Sequence, residues 1–151
     1  MKTEIYSHEG AKSTIKKGLL DGTEQMLSNL SFKVYRGCSR KLREAILDGL
    51  TNLGWSSKIE ISEGTKISIT SVNDGFGLCL QTGNMSRFYA DLLKLECLHK
   101  KRKAKAAFLI IPSKEAAKKM GSNIAHFNRL VQELEVFKDV ISIPILVVGI
   151  S

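Results

Sequence analysis

Apolar residues repeat with two different periods along this chain, and the changes of period divide it into helices and strands. Leu42, Ile46 and Leu50 recur at helical spacing, so they predict a helix over residues 39–53 that Gly54 ends. The weaker pattern before this helix predicts three short elements: a strand over 3–8, a helix over 11–20 and a few helical turns over 24–31. A further short strand is expected over residues 55–62.

The middle of the chain predicts a β-hairpin. Two β-rich runs, 66–72 and 76–81, flank Asp74-Gly75, a sequence that favours a two-residue type I′ turn. Such a loop pairs Asn73 with Phe76, Ser71 with Leu78, Thr70 with Cys79, Ile69 with Leu80 and Ser68 with Gln81. Because side chains alternate along a strand, one face carries Ile67, Ile69, Phe76, Leu78 and Leu80, and the other carries Ser68, Thr70, Cys79 and Gln81. We therefore expect the hairpin to be central in the sheet, with its apolar face buried under one layer of helices.

The rest of the chain alternates helices with apolar strands. After Gly83 the pattern predicts a helix over 84–101, an interior strand over 106–111, a helix over 113–120 capped by Ser113, a helix over 123–137 and a last strand that begins at Pro144. An antiparallel meander followed by crossover helices implies an α/β fold, a mixed sheet with helices on both faces. No linker or repeat interrupts the pattern, so residues 1–151 are expected to form one domain.

Composition and charge restrict the partners. The net charge of +8 favours an anionic partner, either a phosphate backbone or a lipid surface. The longest apolar run, 145–150, is far short of the roughly 20 residues that a membrane span needs, and no apolar leader follows Lys2. Cys38, Cys79 and Cys97 are odd in number and lack CxxC spacing, so neither a disulfide framework nor a zinc site is expected. These features favour a cytoplasmic protein with no membrane partner.

The second half of the chain carries a family resemblance. The segments GLCLQTGNMSRFYADLLKLECLHKK, AAFLIIPSKEAAKKMGSNIAHFNRLVQELEVF and ISIPILVVGI, between Gly77 and Ile150, resemble the BglII-type restriction endonuclease family. The strand-TGN-helix element with Arg87, Asp91 and Lys94 is the most family-like part. The resemblance implies a restriction-endonuclease-like fold and double-stranded DNA as the partner. It also implies Mg²⁺-dependent phosphodiester hydrolysis by an Asp on one hairpin strand and an E-x-K or E-x-Q motif on the next.

The implied metal motif is altered in this sequence. It reads Cys79-Leu80-Gln81, and the hairpin register puts Thr70 where the Asp is expected. Asp74 lies in the turn, roughly 13 Å along the strand from Thr70. A thiolate is a poor Mg²⁺ ligand. The candidate catalytic residues are therefore Gln81 and Cys79 from the motif, together with the helix carboxylates Glu44 and Asp91. The metal ligands stay unknown, and Mg²⁺ is expected only if the chain is active.

Basic residues supply the candidate DNA contacts. They cluster before and at the start of the helix over 39–53, where the helix dipole does not favour cations, and near the family-like element: Lys33, Arg36, Arg40, Lys41, Arg43, Lys66 and Arg87. The basic run 99–105 has a simpler explanation as a helix end followed by a solvated loop, although phosphate contacts are an alternative.

Four functions are compatible with these patterns. The favoured one is a DNA-binding protein of restriction-endonuclease type in which the missing carboxylates argue against cleavage. The first alternative is an active Mg²⁺-dependent, site-specific DNA endonuclease whose ligands have moved to other residues. The second is a non-catalytic regulatory or protein-binding homologue, and the third is a basic domain with no nucleic-acid role. A homodimer is one possible assembly of such a protein.

Overall fold

A computed structural model describes residues 1–151, with seven strands and six helices. In chain order these are β1 (Thr3–His8), α1 (Ala11–Thr14), α2 (Lys17–Asn29), α3 (Ser39–Asn52), β2 (Ile59–Glu60), β3 (Ser68–Ile69), β4 (Ser71–Asn73), β5 (Phe76–Leu80), α4 (Arg87–Lys100), β6 (Ala106–Pro112), α5 (Lys114–Met120), α6 (Phe127–Phe137) and β7 (Ile145–Ile150).

The main sheet has five strands in the order β1-β7-β6-β5-β4. The three inner strands β7, β6 and β5 are parallel, and the outer strands β1 and β4 are antiparallel to their neighbours. The mixed sheet is therefore confirmed. The prediction that the hairpin is central is wrong, because β4 forms an edge. The central positions go to β6 and β7, whose continuous apolar runs are buried on both faces.

Helices cover both faces of this sheet, as predicted. Alternate residues of β6 point to opposite sides: Phe108 and Ile110 contact the layer formed by α1, α2 and α3, whereas Leu109 and Ile111 contact α4 and α6. All four side chains are fully buried. None of the helices has the length and apolar character that crossing a membrane would require.

The hairpin turn follows the prediction, but the strand beyond it does not. Asp74 and Gly75 have φ of 47° and 80°, the positive values that a type I′ turn needs, and Asn73 pairs with Phe76. Two pairs further on, Ser71 pairs with Leu78, yet the backbone N–H of Thr70 also donates to the carbonyl of Leu78 at 3.1 Å. Thr70 is thus the extra residue of a β-bulge.

Because of the bulge, the residues before Thr70 point to the opposite face of the sheet from the one predicted. Ile69 is buried beside Cys79 and Leu95 on the α4 side of the sheet, and it pairs with Ile59 in a separate two-stranded sheet formed by β2 and β3. Ile67 is 47% exposed. The predicted pairs Thr70–Cys79, Ile69–Leu80 and Ser68–Gln81 are therefore wrong, as is the burial of Ile67. One inserted residue reverses the alternation on which these predictions rested.

Element boundaries differ most in the first part of the chain. Ile15 is extended and buried and ends α1, whereas α2 runs through Gly22, where the prediction had placed a break. The strand expected over 55–62 is reduced to β2. The cap at Ser113 is confirmed, since its Oγ accepts a hydrogen bond from the backbone N–H of Ala116 at 3.1 Å.

Candidate nucleic-acid interface

A cavity of about 950 Å³ opens where α3, the β3–β4 segment and the first half of α4 meet at the carboxyl end of β5. Its charged lining is almost wholly basic, with five cations and one carboxylate: Arg40, Arg43, Lys58, Arg87, Lys94 and Asp91. A concave surface with this balance concentrates positive potential and attracts anions.

The α4 side of the cavity carries a polar cluster. Gln81 directly follows β5, and its Nε2 donates to Asp91 Oδ2 at 2.6 Å, while its Oε1 accepts from the backbone N–H of Gly83 at 3.0 Å. Lys94 Nζ lies 3.5 Å from Asp91 Oδ1. Gln81 is thus fixed at both ends of its amide, and it orients the carboxylate of Asp91 toward the neighbouring cations.

Asp91 is the carboxylate of this cluster and is largely buried. Burial raises its pKa above the ordinary value for an aspartic acid, although the hydrogen bond from Gln81 and the charges of Lys94 and Arg43 act in the opposite direction. Gln81 and the two cations therefore offset only part of the cost of burying the negative charge of Asp91.

The α3 side carries Arg43, which reaches the end of the sheet. Its Nη1 donates to the carbonyl of Leu80 at 2.5 Å, and its Nη2 lies 3.5 Å from Thr70 Oγ1. The same hydroxyl accepts from the backbone N–H of Leu80 at 2.9 Å. The Arg43 guanidinium and the Thr70 hydroxyl thus satisfy the carbonyl and the N–H of Leu80, at the point where the bulge interrupts the pairing of β4 with β5.

Cys79 lies below the cavity and not in its lining. The side chain is 1% exposed and packs among the apolar residues under α4. Burial, together with the nearby charge of Asp91, raises the pKa of the thiol far above its ordinary value. A thiol that is buried in this way and lies outside the lining is not placed to act on a molecule or a metal ion in the cavity.

The cavity brings together only some of the sequence candidates. Gln81, Asp91, Arg40, Arg43 and Arg87 all line it. The other basic candidates lie outside the lining and are exposed: Lys33, Arg36, Lys41 and Lys66.

Glu44 also lies outside the cavity lining. More than half of its side chain is exposed, and it pairs with Arg40 one turn earlier on α3 at 2.9 Å. The structure therefore does not bring this carboxylate together with Gln81 and Asp91.

Two basic residues of the lining were missed as DNA contacts, Lys58 and Lys94. Lys94 was detectable, because Arg87, Asp91 and Lys94 are spaced i, i+4 and i+7 and must share one face of a helix. Lys58 follows an irregular segment, and no periodic signal in the sequence places it near α4.

The residues of the cavity do not fit a divalent cation. Mg²⁺ requires several oxygen ligands, and carboxylates are the usual protein donors. Asp91 is the sole carboxylate in the lining, and Gln81 and Lys94 already engage both of its oxygens. No three histidine, cysteine or acidic residues anywhere in the chain come together as a metal site. The guanidinium of Arg43 and the ammonium of Lys94 would in addition repel a metal ion.

The mixed sheet, the two helical layers and the cavity at the carboxyl end of β5 define a restriction-endonuclease-like α/β protein. The model of the restriction endonuclease BglII/BglIII family matches residues 3–150, so the chain belongs to this family. No curated protein sequence gives a significant match.

Two solved structures share the fold. Restriction endonuclease BglII in complex with a DNA 16-mer superposes with a TM-score of 0.88 at 17% identity, over 99% of this chain and 76% of that one. Free BglII gives a TM-score of 0.78 at 18% identity, over 100% of this chain and 80% of that one. At such identities the likeness describes the fold alone.

Proposed function

We propose that this protein binds double-stranded DNA in the cavity between α3 and α4. The observation that carries the proposal is the lining of this cavity, in which five basic residues face one carboxylate. The family supports the proposal, since the BglII relative of the same fold was crystallised with DNA. The net charge of +8 adds a long-range attraction to any phosphate backbone.

The test is DNA binding measured against salt. A labelled duplex is titrated with the protein at several NaCl concentrations, and affinity is read from fluorescence anisotropy. If all five cavity cations contact phosphates, the slope of log K against log salt approaches roughly −4.5. Failure to bind at low salt, or an affinity that does not change with salt, would remove DNA as the partner.

A matched pair of charge reversals locates the interface. Arg87→Glu changes an exposed cation of the cavity, and Lys138→Glu makes the same kind of change on an exposed residue at the end of α6, outside the cavity lining. We expect Arg87→Glu to reduce both the affinity and the salt slope, and Lys138→Glu to have little effect on either. Equal losses in the two variants would point to a diffuse attraction and not to this cavity.

We also propose that the wild-type chain is a weak or inactive nuclease. The support is the poor fit of the cavity to Mg²⁺: its single carboxylate, Asp91, is already engaged by Gln81 and Lys94, and the motif position Cys79 is a buried thiol outside the lining. Supercoiled plasmid is incubated with Mg²⁺ or Mn²⁺ and the wild-type protein, with Asp91→Asn beside it. Little nicking by either protein is the expected result.

An active endonuclease with a relocated ligand is the second candidate. The hydrogen bond between Gln81 and Asp91 favours it, because it places a helix carboxylate beside the strand position that the family motif provides. Robust wild-type nicking that Asp91→Asn abolishes, and that Cys79→Ala does not, would establish this candidate and disprove the inactive one.

Assembly and location stay predictions. The homodimer is supported by three exposed apolar side chains, Leu93, Val136 and Val140, on and just after the outer helices α4 and α6, where Tyr89 contacts Phe137. Light scattering of wild type against Val136→Lys tests it, with loss of a dimer expected in the variant. A cytoplasmic location agrees with three cysteines that form no disulfide.

A further inference from the structure

Arg43 is held in one place by the fold. Its neighbours on α3, Leu42 and Ile46, are fully buried against the sheet, so the helix cannot shift without opening the core. The guanidinium is then fixed at its far end by the carbonyl of Leu80 and the hydroxyl of Thr70. The positive charge of this side chain is therefore part of the scaffold at the end of β5.

The guanidinium keeps donors for a ligand. It has five N–H groups, and the contacts to Leu80 and Thr70 use two of them, which leaves three in a side chain that lines the cavity. A planar fork of this kind matches two oxygens of a phosphate, and it stays charged at any physiological pH. Lys94 adds a second cation, and both charges act on Asp91.

The position of Arg43 also excludes a metal ion. The oxygens at the end of the strand, from Leu80 and Thr70, already accept from the guanidinium. A divalent cation at this point would have to displace a charge of the same sign that is anchored in the helix layer. Asp91 alone cannot offset that repulsion, because Lys94 and Gln81 already engage its oxygens.

We infer that Arg43 is a built-in cation that binds a phosphodiester directly, so that this cavity holds a phosphate without any metal ion. The inference deepens the proposed DNA binding, on which it rests for the source of the phosphate. It has a distinct consequence. At constant ionic strength, DNA affinity is the same in EDTA and in Mg²⁺ or Ca²⁺, whereas a metal-bridged phosphate would be bound more tightly when the divalent ion is present.

The first experiment measures duplex affinity at fixed ionic strength, with EDTA or with Ca²⁺, for wild type and Arg43→Gln. Lys138→Gln is the matched control for the loss of one positive charge. We expect equal wild-type affinity in the two buffers, a loss of about tenfold in Arg43→Gln, and no change in the control. Arg43→Lys keeps the charge without the fork and is expected to fall in between. Thermal unfolding of each variant shows whether the fold is retained.

The second experiment does not depend on DNA. The Nε–Hε signals of the arginines are followed by NMR while dimethyl phosphate is added to the wild-type protein, and Arg43→Gln identifies the Arg43 signal. A selective, saturable shift of that signal supports the inference even if the duplex does not bind, and in that case only the proposed DNA binding is wrong. Unchanged duplex affinity in folded Arg43→Gln, a marked gain of wild-type affinity with Ca²⁺, or an unshifted Arg43 signal would each overturn the inference.

Discussion

The two halves of helix α4 contain one buried carboxylate each, and the surroundings shift the pKa of these two groups in opposite directions. Near the cavity, Asp91 is surrounded by few donors, and burial raises its pKa. Near the other end, burial would likewise raise the pKa of Glu96, but hydrogen bonds from Ser142 and Ile143 prevail and hold it below its ordinary value. Glu96 accepts a hydrogen bond from Ser142 Oγ at 2.7 Å and from the backbone N–H groups of Ser142 and Ile143 at 2.9 and 2.8 Å.

The opposite pKa shifts indicate different roles: Glu96 stabilises the fold, whereas Asp91 belongs to the candidate site. Glu96 fastens the loop before β7 to the helix layer, so its ionised form stabilises the folded state. Asp91 makes the folded state less stable when it is ionised, because its partners compensate its burial only in part. A charge that costs stability beside an anion-attracting cavity is typical of a functional position.

The largest expected effect is on stability at Glu96. Glu96→Ala leaves the buried backbone N–H of Ile143 and the part-buried one of Ser142 without their acceptor, and it should lower the free energy of unfolding by about 3 kcal/mol. Urea denaturation at pH 7 measures it, with Lys100→Ala as the control for the exposed partner of Glu96. DNA affinity of the protein that remains folded should not change. If Glu96→Ala were as stable as wild type, the distinction between the two acids would be lost.

The pH dependence of stability gives an intermediate effect with a definite sign. The folded pKa of Glu96 is lowered, so its contribution is complete above the unfolded value of about 4.3 and is lost as the pH falls through the folded value. Wild type should therefore lose more stability below pH 4.5 than Glu96→Gln does. Urea midpoints between pH 3 and pH 7 test this, and parallel curves for the two proteins would contradict it.

The smallest effect concerns Asp91. Its folded pKa is raised, so the penalty from its ionised form is absent below the unfolded value and appears as the pH rises through the folded one. Asp91→Asn should accordingly change stability at pH 7 by no more than about 1 kcal/mol, and in the stabilising direction. DNA affinity should rise a few-fold, since a negative charge leaves the cavity. A fall in affinity would show that the carboxylate itself contacts the ligand.

The sequence predicted the helical layers and the inner sheet well. Leu42, Ile46 and Leu50 are buried as their spacing required, and the apolar runs of β6 and β7 became interior strands. These features depend on local periodicity, which a sequence shows directly. The Asp74-Gly75 turn was predictable for the same reason, since its two positive φ angles suit those residue types.

The candidate site was predictable only in part, because its geometry depends on contacts between distant segments. Gln81 and Asp91 were identified, but not the hydrogen bond that joins them. Arg43 was expected to contact DNA, yet nothing in its local pattern indicates that it reaches Leu80 and Thr70 on the sheet. The bulge was not foreseen either, since an extra residue leaves the composition of a strand unchanged.

The bulge at Thr70 has a consequence for comparing this chain with its relatives. A strand that lacks the extra residue directs a side chain toward the cavity from one position nearer to the turn. If residues are then aligned by counting from Asp74-Gly75, side chains that point in different directions fall in the same column. For any relative whose strand lacks the extra residue, the alignment therefore needs a one-residue gap between Ile69 and Ser71. Without that gap, the residues before the bulge would be matched to residues of the relative that point to the opposite face of its sheet.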